Sequence, residues 1–312
     1  MALPFDHLIL IFRTENGATH LGIPCWAAHV RSATATALTA NPALHHPVQN
    51  STMRLTFDQS AGTGPEIICL PMFSTTRVAT AAALAPALAG ADLRETYLDL
   101  PGHGDTPATC PATSQAVLDV VCAWLDEHVD APVLLAGASY GAYLAAGIAR
   151  RRPELVRGLL LVCPGVTIAP SGRTLPEERP APGPAGWLDE APTDLRAHLD
   201  AALGHRTPAV VTTVLAALAT GGPGDDTFQR TLRSGSGYAL PDEDVDTPFP
   251  GPVRVLTGRQ DGVVGYADQF HAMRRYPRGT YTTIDQAGHY LPFEQPALLR
   301  AHTQDWLRRT RA

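Results

Sequence analysis

With 312 residues the chain has room for one large domain, or for a core domain carrying an inserted subdomain, and either arrangement buries a full hydrophobic core. Hydrophobic residues at 45% and charged residues at 17% describe a globular protein and exclude a disordered or fibrous one, while Gly 27 and Pro 28 imply many loops. The net charge of -6, with no arginine run longer than Arg150-Arg151-Arg152, which reads as a solvated helix end, argues against a nucleic-acid partner.

All 24 basic residues are arginines. An active-site Schiff base, a Ser-Lys dyad and a phosphate-loop lysine are therefore excluded, because each needs an amine and a guanidinium cannot replace it. The five cysteines, Cys25, Cys69, Cys110, Cys122 and Cys163, show no Cys-x-x-Cys spacing and read as reduced, mostly core residues. Met1 to Phe12 carries an acidic residue and no basic stretch before its short apolar run, unlike a secretion signal. No apolar stretch approaches the ~18 residues of a membrane span, so no membrane partner is expected and the expected location is cytoplasmic.

In chain order, residues 1–51 form an extension of unassigned role. His7 to Arg13 is a candidate first strand there, whereas Ser32 to Ala40 and His45-His46-Pro47 fit no clear element. From residue 52 short apolar runs alternate with longer amphipathic ones, the pattern of parallel strands joined by helices. Strands are predicted at Met53–Phe57, Ile67–Leu70, Glu95–Leu98, Val133–Ala136, Gly158–Val162, Val253–Thr257 and Thr280–Ile284. Helices are predicted at Arg77–Ala89, Ser114–His128, Tyr140–Arg151, Tyr266–Arg275 and Pro296–Arg309. This is an α/β chain with a mostly parallel, doubly wound sheet, whose ligand site is expected beyond the carboxyl ends of the strands. Residues 166–252 break the rhythm: a Pro/Gly-rich stretch runs through Gly186, then helical segments follow around Leu195–Leu203 and Ala209–Ala219. Residues 52–165 and 253–312 are thus the two parts of the core, and 166–252 reads as a helical cap inserted over the strand ends. A structureless loop of that length is uncommon in a compact domain, although a partly disordered surface insertion is the alternative.

The chemistry concentrates in three places. Gly137-Ala138-Ser139-Tyr140-Gly141 lies between a predicted strand and a predicted helix. A serine on such a turn presents its hydroxyl as a nucleophile, and flanking glycines leave room for the strained backbone. The Tyr140 amide, at the helix start, is aimed at a developing oxyanion. A nucleophilic serine needs a base, and His289, in Asp285-Gln286-Ala287-Gly288-His289 after a late strand, is the best of the twelve histidines. His45, His198, His205 and His302 read as surface residues. Asp261, following the Val253–Thr257 strand, is the expected acid that orients His289, with Asp285 as its rival.

Taken together, these motifs resemble the α/β-hydrolase superfamily from about residue 52 to the end of the chain. Asp99-Leu100-Pro101-Gly102-His103-Gly104 is similar to the loop after that family's fourth strand, and Gly258-Arg259-Gln260-Asp261 and Gly288-His289 follow in the expected order. The resemblance implies an α/β-hydrolase fold and a structural rather than catalytic role for His103; no cofactor is expected, and no histidine and carboxylate spacing argues for a catalytic metal. It also places the second oxyanion donor in the turn after the third strand. Many relatives carry His-Gly there, but this sequence has Pro71-Met72-Phe73-Ser74. By position the Phe73 amide is the expected donor with Ser74 as runner-up, and Met72 and Ser74 are candidate substrate-binding residues. Gly62-Thr63-Gly64 and Gly235-Ser236-Gly237 lack the setting of a dinucleotide site and read as turns.

The expected function is hydrolysis of a small, moderately hydrophobic ester, lactone or thioester through an acyl-enzyme, the substrate being selected by apolar cap helices and a neutral entrance. Acyl transfer, cyclisation or C-C bond hydrolysis with the same triad is one alternative, and a non-catalytic small-ligand binder is another. The arginine-only, alanine-rich composition suits a GC-rich bacterial genome and specialised metabolism. The sequence leaves monomer or homodimer open.

Overall fold

The computed structural model describes residues 55–177 and 180–311. Their strands are β1 (Phe57–Gln59), β2 (Glu66–Leu70), β3 (Arg94–Leu98), β4 (Val133–Ala138), β5 (Val156–Val162), β6 (Val253–Gly258) and β7 (Gly279–Ile284). They form one sheet in the order β1-β3-β2-β4-β5-β6-β7. All neighbours run parallel except β1, which pairs antiparallel with β3. The helices are α1 (Arg77–Leu88), α2 (Ser114–His128), α3 (Tyr140–Arg151), α4 (Thr193–Ala202), α5 (Pro208–Leu218), α6 (Asp226–Ser234), α7 (Ala267–His271), α8 (Leu291–Glu294) and α9 (Pro296–Arg311).

Side chains alternate faces along a strand, so an apolar run such as Ile67-Ile68-Cys69-Leu70 supplies both faces of the sheet. Ile67 and Cys69 pack on one side with Leu84 and Leu88 of α1 and Trp306 of α9; Ile68 and Leu70 pack on the other with Leu118 and Trp124 of α2 and Leu144 of α3. Helix starts are specified locally: Thr76 caps α1 by accepting from the Ala79 amide, and Thr113 caps α2 by accepting from Ala116.

The strand order fixes where a site can form. After β2 the chain turns towards β3, and after β4 it turns towards β5 on the opposite side. The adjacent carboxyl ends of β2 and β4 therefore open a crevice between diverging loops. The 71–74 turn and Ser139 sit at that crevice.

Residues 166–252 lie between β5 and β6 and contribute no strand among the described residues. Their helices α4, α5 and α6 pack into both faces of the core, Leu199 and Val211 on the α1 side and Phe228 and Leu232 on the α2 side. Helix α6 was not expected from the sequence, yet Asp225 caps it by accepting from the Phe228 amide at 2.9 Å. Two other elements differ. The first core strand is β1 at Phe57–Gln59 rather than Met53–Phe57, with Met53 and Arg54 outside the described residues, as are residues 1–51. The helix expected over Tyr266–Arg275 is α7 followed by a tighter turn at Ala272–Arg275, and Pro277 ends it there by holding Tyr276 out of the helical region. No helix among the described residues is long and apolar enough to cross a membrane.

Candidate active site

Ser139 follows β4 with φ 51 and ψ -116, a conformation that a non-glycine residue holds only when its surroundings compel it. Two contacts do so. The Ser139 amide donates to the Val162 carbonyl at 2.9 Å, and its own carbonyl accepts from Tyr143 as α3 begins. The flanking glycines are required by packing. A Cβ on Gly141 would collide with the Leu70 and Pro71 carbonyls, and one on Gly137 with the backbone of Gly141.

The loops after β6 and β7 bring the other two groups to this serine. His289 Nε2 lies 2.9 Å from Ser139 Oγ, and His289 Nδ1 lies 2.9 Å from Asp261 Oδ2. Asp261 is fully buried, at 0% exposure, and its Oδ1 accepts from the amides of Val263 at 2.8 Å and Val264 at 2.9 Å. The carboxylate is thus locked in rotation. The rival acid Asp285 is exposed and accepts from Gln260 Nε2 instead.

The histidine loop is stapled to the inserted segment. The His289 amide donates to the Ala202 carbonyl at the end of α4, 2.6 Å away. Glu294, 3% exposed, accepts from Gly288 through Oε1 and from Gly204 and His205 through Oε2, at 2.9, 2.7 and 2.8 Å. Burial outweighs these three donors and pushes the Glu294 carboxyl up to about 7.

Across the crevice, the 71–74 turn closes through the Thr75 amide and hydroxyl, which both donate to the Met72 carbonyl. Among the described residues neither the Phe73 nor the Tyr140 amide donates to a protein acceptor, leaving both available to a ligand. Met72 is buried at 8% exposure and packs with the α1-side core. Ser74 has φ 58, and its hydroxyl donates to Gln229 Oε1 of α6 at 2.7 Å while Gln229 Nε2 donates to the Gly102 carbonyl at 2.8 Å. Helix α6 therefore braces the turn. The Phe73 ring stands edge-on to Tyr140, Tyr238 and His103 at 5.4, 5.7 and 5.3 Å. His103 is buried beside the Pro101 carbonyl, and burial lowers its imidazole to about 4.

Several residues near the site were not singled out in the sequence. His198, expected on the surface, is part-buried on α4 with Nε2 2.9 Å from the Tyr290 hydroxyl, and burial lowers its imidazole to about 4. Arg173 donates to the carbonyls of Val263 and Ile168, with the Tyr238 hydroxyl beside it. The Arg233 guanidinium lies over the Phe73 ring, 5.7 Å from its centre. The one available signal was the Phe228/Leu232 spacing behind Asp225, which marks a capped helix and hence a face for Gln229 and Arg233. Among the described residues no group of three or more His, Cys, Asp or Glu is arranged to hold a metal ion. An open cleft of about 420 Å³ lined by Arg157, Phe249 and Arg278 lies at the amino ends of β5, β6 and β7, away from Ser139.

Comparison with known proteins places the chain in a family. The sequence model described as "Alpha/beta hydrolase family" matches residues 71–302. Lipase LipV of Mycobacterium tuberculosis is 32% identical over 116 residues, 33% of this chain and 44% of that protein. Pimeloyl-[acyl-carrier protein] methyl ester esterase of Neisseria meningitidis is 32% identical over 102 residues, 33% of this chain and 31% of that protein. The chain thus spans less than half the length of the curated relatives it matches. Among solved structures, an alpha/beta superfamily hydrolase from Oenococcus oeni superposes with a TM-score of 0.74 at 23% identity, covering 86% of this chain and 99% of the other, a likeness of fold.

Proposed function

Because the chain belongs to the alpha/beta hydrolase family, we propose that it is a serine hydrolase that cleaves a small, moderately hydrophobic ester or thioester through an acyl-enzyme on Ser139. The observation that carries this reading is His289 lying 2.9 Å from both Ser139 Oγ and Asp261 Oδ2. His289, with Nδ1–H donated to Asp261, keeps Nε2 free to take the Ser139 proton as Oγ attacks the carbonyl carbon. The amides of Tyr140 and Phe73 then hold the oxyanion, a contribution for which one donor is worth ~10² to 10³ in rate. The imidazolium, stabilised by the Asp261 anion, protonates the leaving oxygen or sulfur. Water, deprotonated by His289, attacks the acyl-enzyme and frees Ser139. Residues 166–252 act as the cap that selects the substrate. The names of the relatives, a lipase and a methyl ester esterase, support an ester bond as the one cleaved.

Labelling with a fluorophosphonate probe tests the reading. The wild-type protein should be labelled and the Ser139→Ala variant should not. A folded wild type that stays unlabelled and hydrolyses no p-nitrophenyl ester would instead indicate a non-catalytic ligand binder.

A further inference from the structure

The fold pairs its part-buried arginines with carboxylates. Arg77 meets Asp58, Asp99 and Asp105; Arg150 meets Asp242; Arg206 meets Asp200; Arg254 meets Asp305. Arg233 and Arg173 break that pattern. Among the described residues neither has a carboxylate within ion-pair distance, and the Arg173 Nε is buried without any hydrogen-bond partner. Both touch residues that flank the crevice. Arg233 lies over Phe73, in the turn facing Ser139. Arg173 is bonded to Val263, two residues past Asp261. Tyr238 links the pair, since its ring packs against Phe73 and Tyr140 and its hydroxyl lies beside Arg173.

An unpaired guanidinium in a partly dry crevice is costly unless an anion completes it, and its planar donors suit a carboxylate. A location in the last turn of α6 accounts for a cation there through the helix dipole. It does not account for a guanidinium stacked on the turn that faces the nucleophile. The Arg233 charge is also felt on the opposite wall, where it opposes the burial-driven rise of Tyr290 and reinforces the fall of His198.

Resting on the hydrolase reading above, we propose that Arg233, with Arg173 and Tyr238 behind it, forms an anion subsite, and that the preferred substrate is an ester or thioester carrying a carboxylate. The crevice entrance, expected from the sequence to be neutral, is then positive.

The test compares matched substrates. For the acyl side the pair is mono-p-nitrophenyl adipate and p-nitrophenyl hexanoate; for the alcohol side it is the butyrate ester of 4-hydroxybenzoate and phenyl butyrate. The wild type should favour the carboxylated member of at least one pair in kcat/KM. Arg233→Gln should lower that ratio ~10- to 100-fold, mainly through KM, as expected for loss of a hydrogen bond to a charged group. Arg233→Glu should invert it. Fluorophosphonate labelling of Ser139 in both variants verifies that the site is intact. Labelled variants whose ratios match wild type in both pairs overturn the anion subsite and leave the hydrolase reading standing; a folded wild type that is neither labelled nor active on any of the four esters overturns both.

Discussion

Replacing Asp261 by Asn should inactivate the protein without unfolding it. Oδ1 is held by the Val263 and Val264 amides, at 2.8 and 2.9 Å, so the Asn carbonyl oxygen must take that position. Its NH2 group then faces His289 Nδ1, 2.9 Å from the present Oδ2. An NH2 donor there requires Nδ1 to accept, which moves the ring proton to Nε2, and a protonated Nε2 cannot take the Ser139 proton. Flipping the amide would restore the tautomer but would turn NH2 towards two buried N–H groups. At about 1–3 kcal/mol for each orphaned donor, the flip costs about 2–6 kcal/mol and makes the competent form scarcer by ~30-fold or more. Loss of the negative charge beside the forming imidazolium carries the total towards ~10⁴. The assay is kcat/KM on p-nitrophenyl butyrate together with a thermal melt. Asp261→Ala, which frees both amides, should lose similar activity and also melt lower, by roughly 4–12 °C. A less than tenfold loss of activity in Asp261→Asn, with the melt unchanged, would refute the assignment of Asp261 as the orienting acid.

Other outcomes follow from the same contacts. Gly141→Ala should melt roughly 5–10 °C lower and lose fluorophosphonate labelling, because its Cβ meets the backbone carbonyls of Leu70 and Pro71, which have no room to retreat. Gln229→Ala should reduce kcat ~10-fold with a smaller effect on KM by releasing Ser74 and the turn that holds the Phe73 amide; equal effects on kcat and KM would point to a lost substrate contact instead. Glu294, raised from its ordinary 4.5 to about 7 in the folded protein, holds its proton more tightly there than in the unfolded chain. Its stabilising contribution is therefore full below pH 4.5 and declines, by about 3 kcal/mol in total, as pH rises through 7. Denaturant melts from pH 4.5 to 8 should show that fall in wild type, and Glu294→Gln should remove it.

The chain alone determined the sheet, because its information is local and periodic. Runs such as Ile67–Leu70 and Val133–Ala136, each followed by a longer amphipathic segment, allow little but parallel strands and helices. It also narrowed which residues could meet. Ser139, Asp261 and His289 each lie just past a strand, and parallel strands deliver all such positions to one edge of the sheet. Only the tertiary structure chose Asp261 over Asp285, since both follow strands and the choice depends on which carboxylate the Val263 and Val264 amides hold inside. Within the inserted segment α4 and α5 were legible, but α6 carries few apolar positions, and the segment's partners are distant in sequence. The Gln229 brace on Ser74 spans 155 residues, and the Glu294 clamp on Gly204 spans 90. Arg233 belongs to the same class: the Asp225 cap marks its helix, but its neighbour Phe73 lies far along the chain and is met only when α6 packs across the crevice.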